Sequence, residues 1–157
     1  MTTASIIESL QDAWIPAIYR DQVRTQRTRS YEMEIPEREN QAEILFTLLG
    51  IELKVGKRRF ACPDLATARY LLVFARLGCR SVAIPYDITR ISVIADDLEM
   101  AWQKLVLTVE DRTKRATPSG RGRVRSGVIK SVREEIAAEG AGPQMPEFSN
   151  STRQRNY

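Results

Sequence analysis

Apolar positions recur along this chain with two periods, and the switches between them divide it into elements. Ile7, Leu10 and Trp14, with Ile6 and Ala17 nearby, share one helical face and predict a helix over 4–15. Pro16 lacks a backbone donor, so it should end or kink that helix. A second helical piece over 17–28 carries Arg20, Arg24 and Arg27 on one face. From Ser30 the period becomes two: Tyr31, Met33 and Ile35 alternate with Glu32 and Glu34, as in a half-buried strand. Beyond Pro36 come the acids Glu37 and Glu39, then Ala42, Ile44, Leu45, Leu48, Leu49 and Gly50. Early acids suit the positive end of a helix and Gly50 its C-cap, so this segment is expected to be helical. Its apolar stretch 43–50 also fits a strand, because short apolar runs do not separate the two.

The pattern is clearer downstream. Ile51–Val55 and Arg58–Cys62 alternate around Gly56-Lys57, which predicts a hairpin. Asp64 is a good N-cap for a helix with body Leu65–Leu77, closed by Gly78. Residues 80–86 predict a strand, placed at a sheet edge by Pro85. Asp87 then caps a helix over 88–112 with one stripe: Ile91, Ile94, Ala95, Leu98, Ala101, Trp102, Leu105 and Val109. At 1.5 Å per residue it is about 37 Å long. Such a helix packs on the N-terminal helix or pairs with a second copy.

Over residues 30–86 the expected order is β, α, β, β, α, β, the split βαβ order of the ferredoxin-like fold. The two inner helical segments also resemble each other. Each opens on Pro plus an acid and closes on Phe-x-x-Leu-Gly (Phe46 to Gly50, Phe74 to Gly78), as a duplicated βα unit would. The expected fold is therefore an α+β, ferredoxin-like split βαβ sandwich. An N-terminal helical segment (1–29) precedes the core with its long helix (30–112). A flexible basic linker (113–127), then a short helix and disordered tail (128–157), follow. In the last part Val128, Ile129, Val132 and Ile136 share a face.

Composition narrows the chemistry. The chain has no histidine, which removes Ser-His-Asp and Cys-His nucleophiles and histidine-containing zinc sites. Cys62 and Cys79 flank the 65–77 helix and lie about 20 Å apart at that rise per residue, too far for a disulfide. No C-x-x-C pair is present. No apolar run is long enough to span a bilayer, and the N-terminus has no basic stretch leading into an apolar one. A soluble, cytoplasmic protein with no membrane contact is expected. Residues 1–112 hold 15 Lys+Arg against 16 Asp+Glu, whereas residues 113–157 hold 9 against 4, so the basic excess belongs to the tail.

Three segments carry candidate chemistry. Gly120-Arg121-Gly122-Arg123 resembles the core of an AT-hook, with Val124 where that motif has proline. The resemblance implies minor-groove contact, and with Arg125 these arginines on a flexible backbone suit phosphates. Lys57, Arg58 and Arg59 form a basic hairpin tip, with Phe60 and Tyr31 as the aromatics on which bases could stack. Glu52-Leu53-Lys54 is an E-x-K on a strand, the pattern of metal-dependent nucleases. That site would need an upstream acid from Glu32, Glu34 or Glu37. Asp96 and Asp97 are adjacent on a helix and point about 100° apart, so they do not converge.

The reading these features favour is a non-enzymatic binding or regulatory protein. It would contact DNA or RNA through Arg121, Arg123 and Arg125, joined by Lys57, Arg58 and Arg59. One alternative is an interaction adaptor that docks a protein partner through 88–112 and the 128–139 segment, with a second copy also able to pair through 88–112. Another is a metal-dependent nuclease using Glu52 and Lys54. No cofactor and no metal site are expected.

Overall fold

The computed structural model describes residues 3–142. Helix α1 (Thr3–Leu10) passes through a 3₁₀ turn (Gln11–Ala13) into α2 (Ile15–Ile18), which runs on as a π turn (Tyr19–Val23). Then come β1 (Thr28–Glu32), β2 (Ala42–Thr47), β3 (Gly50–Val55), β4 (Arg58–Cys62), α3 (Leu65–Leu77), β5 (Ser81–Pro85), α4 (Ile88–Arg112) and α5 (Pro118–Glu139). The chain is thus mixed α+β, with two antiparallel sheets. One is the meander β2-β3-β4 and the other is the ribbon β1-β5.

This pairing corrects the expected split βαβ order. No helix forms between β1 and the hairpin; Ala42–Thr47 is a strand paired with β3 from Ala42↔Val55 to Thr47↔Gly50. The duplicated βα unit disappears with that helix: Phe46 to Gly50 is a strand end and a turn, whereas Phe74 to Gly78 is a helix end. Pro16 also acts differently from its expected part. It sits in the first turn of α2, where a missing donor costs nothing, and α1 has already stopped at Leu10.

Helix α3 organises the core. Asp64 accepts a hydrogen bond from the Thr67 N–H at 2.7 Å, and Gly78 ends the helix in the left-handed region. Nearly every residue from Thr67 to Leu77 is buried, as expected of a helix covered all round. The meander packs on α3, which also packs on α4 and α5, while α1 and α2 pack on α4 and α5. The α4 stripe is buried within the monomer at each of its eight positions. A homodimer or adaptor contact through that stripe is therefore closed off, because its apolar residues already fill this chain's own core.

The largest difference lies in the expected linker. Pro118–Gly127 is helical and continuous with the 128–139 helix, so the connection between α4 and α5 shrinks to Thr113–Thr117, in which Thr113 is buried and bonds the Val109 carbonyl. Thr117 caps this helix by accepting from the Gly120 N–H at 3.0 Å, and Pro118 occupies the first turn. Val128, Ile129, Val132 and Ile136 bury as their spacing implies. Gly127 allows close approach: a Cβ there would lie 3.0 Å from the Thr3 hydroxyl oxygen of α1. Of the disordered tail expected from Gly140 on, Gly140 is held by a hydrogen bond to its carbonyl, and the residues beyond Gly142 lie outside the described residues.

Two tyrosines tie the ribbon to the helices. The Ala83 N–H donates to the Tyr19 hydroxyl at 2.9 Å, and the Tyr70 hydroxyl donates to the Ala83 carbonyl at 2.6 Å. The Tyr19 hydroxyl in turn donates to the Gly140 carbonyl at 2.6 Å. Burial pushes both phenols above their ordinary pKa, keeping them neutral donors. Tyr19→Phe leaves the Ala83 N–H without this acceptor in the interior. The expected cost is about 1–3 kcal/mol, read as a lower urea midpoint at unchanged m-value. An unchanged midpoint would show that water replaces the hydroxyl.

Candidate nucleic-acid interface

The turn between α4 and α5 concentrates positive charge. Residues 110–125 contain Arg112, Lys114, Arg115, Arg121, Arg123 and Arg125 against only Glu110 and Asp111. Arg112, Lys114, Arg115, Arg121 and Arg123 are exposed. Lys114 forms a surface pair with Asp111 at 3.3 Å, and Arg121 donates to the Ala116 carbonyl at 3.1 Å. Among the described residues Arg112, Arg115, Arg121 and Arg123 have no acidic partner within 4.0 Å. Arg112 and Arg115 also line an apolar depression of about 490 Å³ with Val124 and Gly120.

Arg125 does something else. Its guanidinium donates two bonds to the Glu39 carboxylate, at 2.7 and 2.6 Å, and both side chains are about a third exposed. These bonds push the Arg125 pKa further up and fasten α5 to the segment before β2. Arg125 is therefore already engaged, as a tether between α5 and that segment. The AT-hook resemblance also fails in geometry. Arg121 and Arg123 sit on a helix, about 200° apart around its axis, instead of side by side on an extended chain.

The hairpin cations form a separate group. Lys57 is in the turn, Arg58 pairs with Glu34 at 3.3 Å, and Arg59 pairs with Glu52 at 3.4 Å. No hydrogen bond or ion pair joins this group to the α4–α5 turn among the described residues. Phe60 and Tyr31 are half-buried and pack against the core.

The E-x-K residues are placed by β3. Glu52 lies opposite Leu45 and Ala61, and its charged neighbour is Arg59. Of the acids expected to join it, Glu34 is held by Arg58, Glu37 approaches Arg80 at 3.9 Å, and Glu32 lies on the ribbon opposite Ser81. Among the described residues no three carboxylates or thiols come together as a metal site. Lys54 instead lines a cleft of about 480 Å³ with Glu39, Glu43, Arg76 and Trp102. Mixed charge fills this cleft, and the Arg76 guanidinium lies 5.9 Å from the Trp102 ring while bonding Glu99 at 3.2 Å.

The remaining candidates are structural. Asp96 bonds Arg69 and Asp97 bonds Gln22, so the two acids serve different neighbours. Both cysteines are buried free thiols; burial pushes Cys62 up and Cys79 up to about 12, away from thiolate chemistry. No described helix is long and apolar enough to cross a membrane. Sequence reasoning missed Arg112, Lys114 and Arg115, which it divided between the long helix and a linker. The signal for grouping them was Thr117-Pro118, an N-cap followed by a first-turn proline that brings a second helix back against the first. No known protein family, curated protein or solved structure matches the chain.

Proposed function

We propose that this is a non-enzymatic binding protein that contacts nucleic-acid phosphates through the α4–α5 turn. The observation that supports this reading is the set of exposed arginines there, Arg112, Arg115, Arg121 and Arg123, which have no acidic partner among the described residues. Arginine forks suit phosphate oxygens, and cations that are not already paired release counterions on binding without first breaking an internal bond. The same corner holds the start of α5, the positive end of that helix's dipole. Lys57 adds a cation on the hairpin. Arg58, Arg59 and Arg125 are less favourable, because each must leave a carboxylate.

The test is affinity for duplex and single-stranded DNA and RNA across a salt series. The full chain is compared with a variant in which Arg112, Arg115, Arg121 and Arg123 are all glutamine. Each phosphate neutralised on B-DNA contributes about 0.9 to the slope of log affinity against log salt, so the variant should lose about 3–4 units of slope. Its thermal midpoint should stay near that of the parent, because exposed charges contribute little to stability. An unchanged slope, or no binding by the parent at low salt, rejects the assignment.

A second reading, a protein-interaction adaptor, draws on the outer face of α4. Val93, Met100 and Leu107 recur there every seven residues and are each more than half exposed. Binding through that face would survive raised salt.

A further inference from the structure

Sheet edges are templates for pairing with another chain, and proteins usually blunt them. Most edges here are blunted. On β5 the Ala83 backbone groups are taken by Tyr19 and Tyr70, and Pro85 closes the strand. Strand β1 carries Arg29 and Glu32, and β4 carries Arg58 and Arg59. Strand β2 is the least protected of them. It is six residues of Ala-Glu-Ile-Leu-Phe-Thr, without proline and with one charge, Glu43. Its backbone makes no hydrogen bond outside the ladder with β3 among the described residues. Phe46 near the end of the strand and Leu48 and Leu49 in the adjoining turn are the most exposed large apolar side chains among the described residues, at 71%, 106% and 95%.

We propose that β2 is a pairing edge for a second copy of this chain. Two meanders would join antiparallel into one continuous sheet about a two-fold axis at Leu45. The residue pattern favours this occupant. An axis perpendicular to the sheet keeps each face on its own side, so residues facing each other must be an even number apart. Centred on Leu45, Leu45 meets itself, Ile44 meets Phe46, and Glu43 meets the uncharged Thr47. Leu48 then reaches Ala42 of the other copy. Like charges are not opposed anywhere in this register, whereas parallel pairing in register would stack Glu43 on Glu43. A lipid surface fits less well. The cations of the hairpin, Lys57 and Arg58, sit at the far end of the strands, about 17–20 Å from the apolar tip.

The decisive experiment is sedimentation equilibrium of the full chain beside Thr47→Glu and Thr47→Lys. Both substitutions lose the same hydroxyl contacts to the Leu49 N–H and the Gly50 carbonyl, so they differ only in sign. The parent should be a dimer in the micromolar range. Thr47→Glu should weaken it by placing an acid opposite Glu43 twice. Thr47→Lys should retain it, with dimer dissociation constants about tenfold or more apart between the two variants. Hydrogen exchange of the parent gives a reading that needs no variant: protection of the β2 amides should rise with protein concentration. A monomeric parent up to millimolar concentration, equal behaviour of the two variants, or β2 protection independent of concentration overturns the proposal. So does a monomer that co-sediments with phosphatidylserine/phosphatidylcholine vesicles through Leu48 and Leu49.

Discussion

A chain ended after Arg112 is expected to lose its cooperative thermal transition. Helix α5 places Val128, Ile129, Val132 and Ile136 in the core, each 1% exposed or less. Burial of an aliphatic side chain contributes about 1.5–3 kcal/mol, so these four represent about 6–12 kcal/mol of apolar burial. The whole stability of a domain is about 5–15 kcal/mol. Removal of α5 also takes away the Arg133 bond to the Leu77 carbonyl at 2.9 Å and the Arg125–Glu39 pair. It uncovers faces of α1, α2 and α3. Calorimetry of the shortened chain should show a broad, weak transition or none. A sharp transition within a few degrees of the full chain would mean that α5 is an appendage. For the same reason nucleic-acid binding is tested with point variants and not by truncation.

Gly78→Ala should be the most damaging single methyl in the protein. Gly78 has φ +81°, and a Cβ there would lie 3.0 Å from the Arg38 carbonyl carbon and closer still to that residue's nitrogen and oxygen. The left-handed conformation costs a non-glycine residue about 1–3 kcal/mol, and forced overpacking about 1–3 more. The expected loss is therefore about 2–6 kcal/mol by urea unfolding. Gly56→Ala is the control. It shares a positive φ (+60°), yet a Cβ there meets nothing within 4 Å. Its cost should stay near the conformational part alone, about 1–3 kcal/mol. Equal losses at the two positions would show that the 33–41 segment does not lie against the end of α3.

The legible parts of this fold are those where period, cap and burial agree. The α4 stripe, the Asp64 and Asp87 caps and the 51–62 hairpin stand where the residues place them. The β2 segment was ambiguous because its turn is Leu48-Leu49, with none of the usual turn residues, and because Pro36, Glu37 and Glu39 imitate a helix start. Pairing with β3 decided it, and pairing is not a local property. The first turns of α5 were hidden by Gly120 and Gly122, each costing a helix about 1 kcal/mol. Tertiary contacts offset that cost: Val124 packs against the core and Arg125 grips Glu39. Of the candidate site, Arg121 and Arg123 were visible as charge. Their grouping with Arg112 and Arg115 needed the helical return that only the folded chain displays.

The ends of the folded chain are latched to each other, and this bears on how it is made. Trp14 Nε1 bonds Glu135 at 2.9 Å, the Tyr19 hydroxyl bonds the Gly140 carbonyl, and Arg24 bonds the Glu139 carbonyl at 3.1 Å, with sequence separations of 115–121 residues. During synthesis at about 5–20 residues per second, the N-terminal helices therefore wait roughly 6–24 s for these partners. In that interval the inner faces of α1 and α2 have no α5 to cover them. Such long-range closure slows folding and prolongs exposure of apolar surface.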